Sequence, residues 1–137
     1  MEQGQLHILL VEDNPADVLL TRMAIEESGL AQQLMTIADG ESALAYLRVT
    51  DRLPDLILLD LNLPELDGFA MLEDLRKLPH CANVPVAVLS ASRSQQDRHH
   101  ALDLGARAYF AKPSSLSGYT NLARELAVFC QALPSTS

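Results

Sequence analysis

Basic residues are scarce in this 137-residue sequence: 10 Lys+Arg stand against 18 Asp+Glu, a formal net charge of −8. An acidic surface repels phosphate backbones and disfavours nucleic-acid binding by charge, while the same balance suits a protein that holds a cation among carboxylates. Cysteine is scarce too. Cys81 and Cys130 stand 49 residues apart, neither belongs to a CxxC, and no His lies at ligand spacing from either. That pattern predicts free thiols in a reducing compartment. No run of 18 apolar residues exists, so no membrane span is expected. The polar start, Met1 to Gln5, lacks the basic and apolar regions of a signal peptide. Repeats, linkers and low-complexity segments are missing as well. These absences point to a soluble cytoplasmic protein.

Hydrophobic residues make up 48% and mean hydropathy is +0.08, enough to bury one core and too much for a disordered chain. The length suits a single domain. With only Pro134 to Ser137 beyond the last apolar position, no output domain is expected.

Short apolar runs alternate with amphipathic stretches. His7 to Val11 reads as a strand ending at Glu12-Asp13. Asn14-Pro15 then opens a helix, with Asn as N-cap and Pro at the first helical position. That helix runs to about Ser28 and stops at Gly29. Leu34 to Ala38 is a weaker strand, and Asp39 to about Arg48 a short helix. Leu56 to Leu59 is apolar without alternation, as in a strand buried on both faces, and it leads into Asp60. Leu66 to Lys77 reads as helix, Val84 to Leu89 as a strand ending at Ser90, and Ser94 to Leu104 as a polar helix stopped by Gly105. Ala106 to Ala111 is a fifth strand, ending at Lys112-Pro113. Leu116 to Leu133 carries Tyr119, Leu122, Leu126, Phe129 and Leu133 at helical spacing. Five βα units in series imply an α/β fold, a five-stranded parallel sheet with helices on both faces and right-handed crossovers.

Ligands of such sheets bind beyond the C-terminal strand ends. Those ends carry Glu12-Asp13, Asp60, Ser90 and Lys112, so three carboxylates, a hydroxyl and an ammonium gather at one edge. Crowded carboxylates need a cation. Mg²⁺ favours oxygen ligands, commonly one or two carboxylates plus a phosphate oxygen. Lys supplies a compact charge for phosphate, Ser a donor, and a carboxylate can itself be the nucleophile.

These residues resemble the receiver domain of two-component response regulators over roughly residues 6 to 132. The shared pattern is the acidic pair Glu12-Asp13, the acceptor loop Asp60-Leu-Asn-Leu-Pro-Glu-Leu-Asp-Gly68, Ser90, Leu104-Gly105-Ala106 and Lys112-Pro113. Ser90 follows Asp60 by 30 residues and Lys112 follows Ser90 by 22. The resemblance implies a flavodoxin-like (βα)5 fold with strand order 2-1-3-4-5. It implies Asp60 as phosphoacceptor, with Asp13 and Asp60 binding Mg²⁺ by carboxylate, Asn62 by its backbone carbonyl and Glu12 through water. Lys112 pairs with Asp60 and then with the phosphoryl group. Ser90 hydrogen-bonds a phosphoryl oxygen on activation, and Tyr109 turns inward as the switch aromatic. The side chains of Asn62 and Ser92 lie where family members tune phosphate lifetime, and Lys112-Pro113 resembles the family's cis peptide.

A sensor histidine kinase is the expected phosphodonor, and a downstream protein the expected partner through the face of the fourth helix, fifth strand and fifth helix. The stretch Val11 to Asp17, followed by Val18-Leu19-Leu20, is similar to small receivers paired with phytochrome-type histidine kinases. The long apolar last helix also resembles those, some of which dimerise through that region.

Two rival readings stand beside this one. An aspartyl-phosphate-forming phosphatase would place a second Asp two residues after the nucleophile, where this chain has Asn62, and would need a cap domain. A receiver-like binding module without phosphorylation would not need all five site residue types. His99-His100 reads as solvated helix surface, and His7 and His80 have no evident partners.

Overall fold

The computed structural model describes residues 6–29, 32–63 and 67–133. Among these residues five parallel strands alternate with five α-helices: β1 (Leu6–Val11), α1 (Pro15–Glu27), β2 (Gln32–Ile37), α2 (Gly40–Val49), β3 (Leu56–Asp60), α3 (Gly68–Arg76), β4 (Val86–Ser90), α4 (Gln95–Asp103), β5 (Ala108–Ala111) and α5 (Leu116–Gln131). A 3₁₀ turn, Pro79–Cys81, follows α3. The sheet order is β2-β1-β3-β4-β5 with every pairing parallel, as the resemblance implied.

Alternation along each strand divides the core into two layers. Leu9, Val11, Ile57, Leu59, Val86, Val88 and Tyr109 pack with Ala43, Leu44 and Leu47 of α2, Met71, Leu72 and Leu75 of α3, and Ala101 of α4. Ile8, Leu10, Leu56, Leu58, Ala87 and Leu89 pack with Ala24 and Ile25 of α1 and with Leu122, Leu126 and Cys130 of α5. The central strand β3 is buried at every position, which accounts for its uninterrupted apolar run. Strand β2 lies at an edge and is nowhere fully buried, so its sequence signal is weaker. Both cysteines are buried free thiols.

Helix starts follow the sequence. Asn14 Oδ1 accepts from the N–H groups of Ala16 and Asp17, and Asp39, Asp67, Ser94 and Ser115 cap the remaining helices in the same way. Gly29 and Gly105 follow α1 and α4 with positive φ, 81° and 108°, the left-handed conformation that favours glycine at a helix end.

Several boundaries differ from expectation. β2 begins at Gln32 rather than Leu34. β4 begins at Val86 rather than Val84, because Pro85 has no N–H to give the ladder, and it extends to Ser90. β5 begins at Ala108 rather than Ala106. Helix α3 starts at Gly68 behind the Asp67 cap; Leu66, its expected start, lies outside the described residues, as do Met1 to Gln5 and Pro134 to Ser137. The Lys112–Pro113 bond is trans, since no peptide bond among the described residues is cis, and the resemblance misled on this point. Trans is the isomer an X–Pro bond intrinsically prefers, by about 0.5–1 kcal/mol, and Lys112 reaches its partners from it. His80 does have a partner: its Nε2 lies 2.9 Å from the carbonyl of Leu47, in the last turn of α2. His100 is exposed and stacks on Phe69, ring centroids 4.3 Å apart.

Candidate functional site

The register of the sheet places the strand ends side by side. Asp60 pairs with Leu89, and Ser90 with Ala111. Continuing the alternation of each strand puts Glu12, Asp60 and Lys112 toward the α1/α5 layer, and Ser90 with Tyr109 toward the α2–α4 layer.

The carboxylates of Glu12, Asp13 and Asp60 each offer an oxygen within 4.8 Å of the others. Asp60 is 3% exposed and Glu12 2%, while Asp13 is open to solvent. The Lys112 ammonium lies 2.8 Å from Glu12 Oε1, 2.9 Å from Asp17 Oδ2 and 3.4 Å from Asp60 Oδ2. Asp60 Oδ1 accepts from the N–H of Asn62, and Glu12 Oε2 from that of Asn14. Burial pushes the Glu12 carboxyl up to about 7, opposed by the hydrogen bond from Lys112 and reinforced by the Asp60 charge. Burial works against the Lys112 charge, but the hydrogen bonds to Glu12 and Asp17 and the nearby carboxylates outweigh it and hold the ammonium above its usual value.

The β4–α4 loop closes the other side. Ser90 is fully buried and its Oγ accepts from the N–H of Ser92. Ser92 Oγ donates to Asp97 at 2.6 Å, and Tyr109 Oη donates to the Ser92 carbonyl at 2.9 Å. Tyr109, the expected switch aromatic, is turned inward in this structure. The hydrogen bond to Ser92 supplies the reason. Lys112 is tied in through its backbone: its N–H donates to the Ser90 carbonyl at 2.7 Å, and Arg93 donates to the Lys112 carbonyl at 3.3 Å.

Glu12, Asp13, Asp60 and Lys112 thus meet in one pocket, and Ser90 stands at the next strand end. Asn62 sits beside Asp60 with its side chain exposed. Asp17 was not anticipated in this cluster. Its place in the first turn of the helix that starts beside the acidic pair brings its carboxylate over the end of β5, 95 residues away.

The donor set fits a hard divalent cation. It consists of carboxylate oxygens alone, with no sulfur or imidazole. Glu12 Oε1 is buried and, apart from the Lys112 ion pair, has no hydrogen-bond partner. Glu12, Asp13 and Asp60 are the residues that would hold Mg²⁺ or a similar ion.

A family profile described as the response regulator receiver domain matches residues 8–123. The chain belongs to this family, the phosphoacceptor receivers of two-component signalling. It is 35% identical over 114 residues to response regulator Rcp1 of Synechocystis, covering 80% of this chain and 78% of that one. The Mn(2+)-bound structure of Rcp1 matches with a TM-score of 0.83 at 31% identity, covering 95% of this chain and 99% of that one. The phosphorylated cyanobacterial phytochrome response regulator RcpA matches with a TM-score of 0.86 at 36% identity, covering 96% and 98%. Other curated relatives are much longer, and the chain spans 13% of one and 44% of another. No described helix is long and apolar enough to cross a membrane.

Proposed function

We propose that Asp60 is the phosphoacceptor, taking a phosphoryl group from the phosphohistidine of a sensor histidine kinase in a Mg²⁺-dependent reaction. The observation that carries this reading is the Asp60 carboxylate itself: buried at a strand end, grouped with those of Glu12 and Asp13, and facing the Lys112 ammonium at 3.4 Å. An Asp60 oxygen attacks phosphorus. The O–P bond forms as the P–N bond breaks, and the imidazole nitrogen leaves with the electron pair. Glu12, Asp13, Asp60 and the Asn62 carbonyl would hold the divalent ion, which would supply positive charge against the transferring oxygens. Lys112 supplies the fixed positive charge, and Ser90 offers a hydroxyl donor from the adjacent strand.

The chain assists its own phosphorylation and has no dedicated multiple-turnover activity. Asn62 stands where an aspartyl-phosphate phosphatase would carry its general acid, which speaks against that rival. The readout is the α4–β5–α5 face, where a cleft of about 400 Å³ is lined by Arg93, Arg98, Tyr109, Asn121 and Glu125. The contact between Tyr109 and the Ser92 carbonyl joins that cleft to the loop that Ser90 begins. A switch of this kind shifts a pre-existing equilibrium only by the differential contacts the phosphoryl group makes.

Likeness to RcpA and Rcp1 supports a phytochrome-type kinase as donor and a cytoplasmic setting. A second copy of the chain is a further partner, docking through α5, where Leu116 and Val128 are exposed.

The test is phosphotransfer from a radiolabelled histidine kinase. Label should move to the wild-type chain, stop on chelation of Mg²⁺, and fail to appear on Asp60→Asn. Labelled Asp60→Asn would refute the acceptor assignment. Sustained turnover of a small phosphomonoester would favour the phosphatase.

A further inference from the structure

Under the proposed function, Lys112 has one task, pairing with Asp60 and then with the phosphoryl group. The structure gives its ammonium another strong partner that this task does not use. We propose that Asp17 is a positioning residue that holds the Lys112 ammonium back from Asp60 and so limits how tightly the site grips a phosphoryl group. The proposal rests on the reading of Asp60 as acceptor.

An ammonium has three N–H donors. Three carboxylates surround this one, Glu12 at 2.8 Å, Asp17 at 2.9 Å and Asp60 at 3.4 Å. The first two distances are those of charge-assisted hydrogen bonds, and the third is longer than a good one. The acceptor residue therefore has the weakest claim on the lysine. Glu12 comes from the end of β1 and is buried in the pocket. Asp17 comes from a helix, and its side chain keeps 29% exposure while that of Lys112 keeps 11%.

Asp17 is well anchored for a restraining role. It lies in the first turn of α1, its N–H donates to the Asn14 cap at 3.1 Å, and its charge suits the positive end of that helix. The Lys112 backbone is fixed as well, by Ser90 on one side and Arg93 on the other. What remains adjustable is the direction of the four-carbon stem, and competition among carboxylates sets it. When Asp60 carries a phosphoryl group, the ammonium must turn toward more negative oxygens. Asp17 retains one of the ammonium's N–H donors and so weakens its grip on the phosphoryl group. Asp17→Asn keeps the size and removes the charge.

The experiment is titration of the intact chain with beryllofluoride and Mg²⁺, followed by calorimetry. Asp17→Asn should bind the phosphoryl mimic about tenfold more tightly than wild type, the scale of one charge-assisted hydrogen bond of the ammonium released to the mimic. Asp17→Ser should move the same way, and Asp17→Glu should stay near wild type. Adding Lys112→Met to Asp17→Asn should abolish the gain, because the effect runs through the ammonium. Equal or weaker binding by Asp17→Asn and Asp17→Ser overturns the proposal, as does a gain that survives Lys112→Met. A wild-type chain that takes up no beryllofluoride would instead sink the acceptor reading, and this proposal with it.

Discussion

At the scale of single residues, charge balance at Lys112 governs the pocket. Without a divalent ion, its ammonium is what opposes the buried Glu12 and Asp60 carboxylates. Lys112→Met should therefore lower stability in chelator by about 3–5 kcal/mol, the usual cost of orphaning a buried charge, and Mg²⁺ should restore part of the loss; urea titrations with and without the ion would show both. Cys130 gives a pH prediction. Burial pushes its thiol up to about 11. The folded chain keeps that proton to higher pH than the unfolded chain, which releases it near its ordinary value. Between those values the unfolded state binds fewer protons, so stability should fall as pH rises, by about 2 kcal/mol in all. Cys130→Ala, compared with wild type in denaturation at pH 8 and pH 11, should show a shallower decline; Cys81 and Tyr119, also pushed up by burial, supply what remains.

The acidic pair, Asp60, Ser90 and Lys112 were legible in the sequence because a parallel sheet turns strand ends into neighbours, whatever their separation along the chain. Asp17 was not legible as a site residue. Its contact depends on the rotational phase of α1 and on the reach of a lysine from the far end of the chain, and no local pattern encodes either.

At the scale of elements, the acceptor loop depends on a close backbone approach. The N–H of Gly68 donates to the Leu61 carbonyl at 2.9 Å. A Cβ at Gly68 would lie 2.6 Å from Leu61 Cα and 2.9 Å from the Asp60 carbonyl. Since those are backbone atoms, Gly68→Ala should displace the loop, costing about 1–3 kcal/mol and slowing phosphorylation; urea midpoints and acetyl phosphate uptake would report the two effects. Tyr109 clamps the next loop. Tyr109→Phe removes the donor to the Ser92 carbonyl and should loosen residues 91–94 by about 1 kcal/mol, seen as faster amide exchange there while β4 keeps its protection.

Element types were readable throughout: the unbroken apolar run of β3, the Asn14-Pro15 start of α1 and the Gly29 and Gly105 stops all have local physical causes. Boundaries were less so. Pro85 shortens β4 from the front, and β2 extends past its apolar residues because an edge strand is held by its ladder to β1 rather than by burial. The trans Lys112–Pro113 bond follows the intrinsic preference of an X–Pro bond, against the family pattern, and the position of Tyr109 rests on its hydrogen bond to Ser92 from the neighbouring loop.

At the scale of the whole molecule, the sheet lies between two apolar layers, and its carboxylates and the Lys112 ammonium gather at the edge where the strand ends meet. The opposite concern is surface. Val128 on α5 is 68% exposed, and if a second copy docks there, Val128→Glu should shift sedimentation from dimer to monomer while leaving phosphorylation intact. Glu12 and Asp60 are the buried carboxylates at that edge, and the ammonium of Lys112 lies within 3.4 Å of both to offset them.

The most direct measurement of the central claim is peptide-mapped mass spectrometry after incubation with acetyl phosphate and Mg²⁺. A single phosphoryl group should appear on the peptide that holds Asp60, and none in EDTA. A phosphoryl group on another residue, or equal modification without a divalent ion, would contradict it.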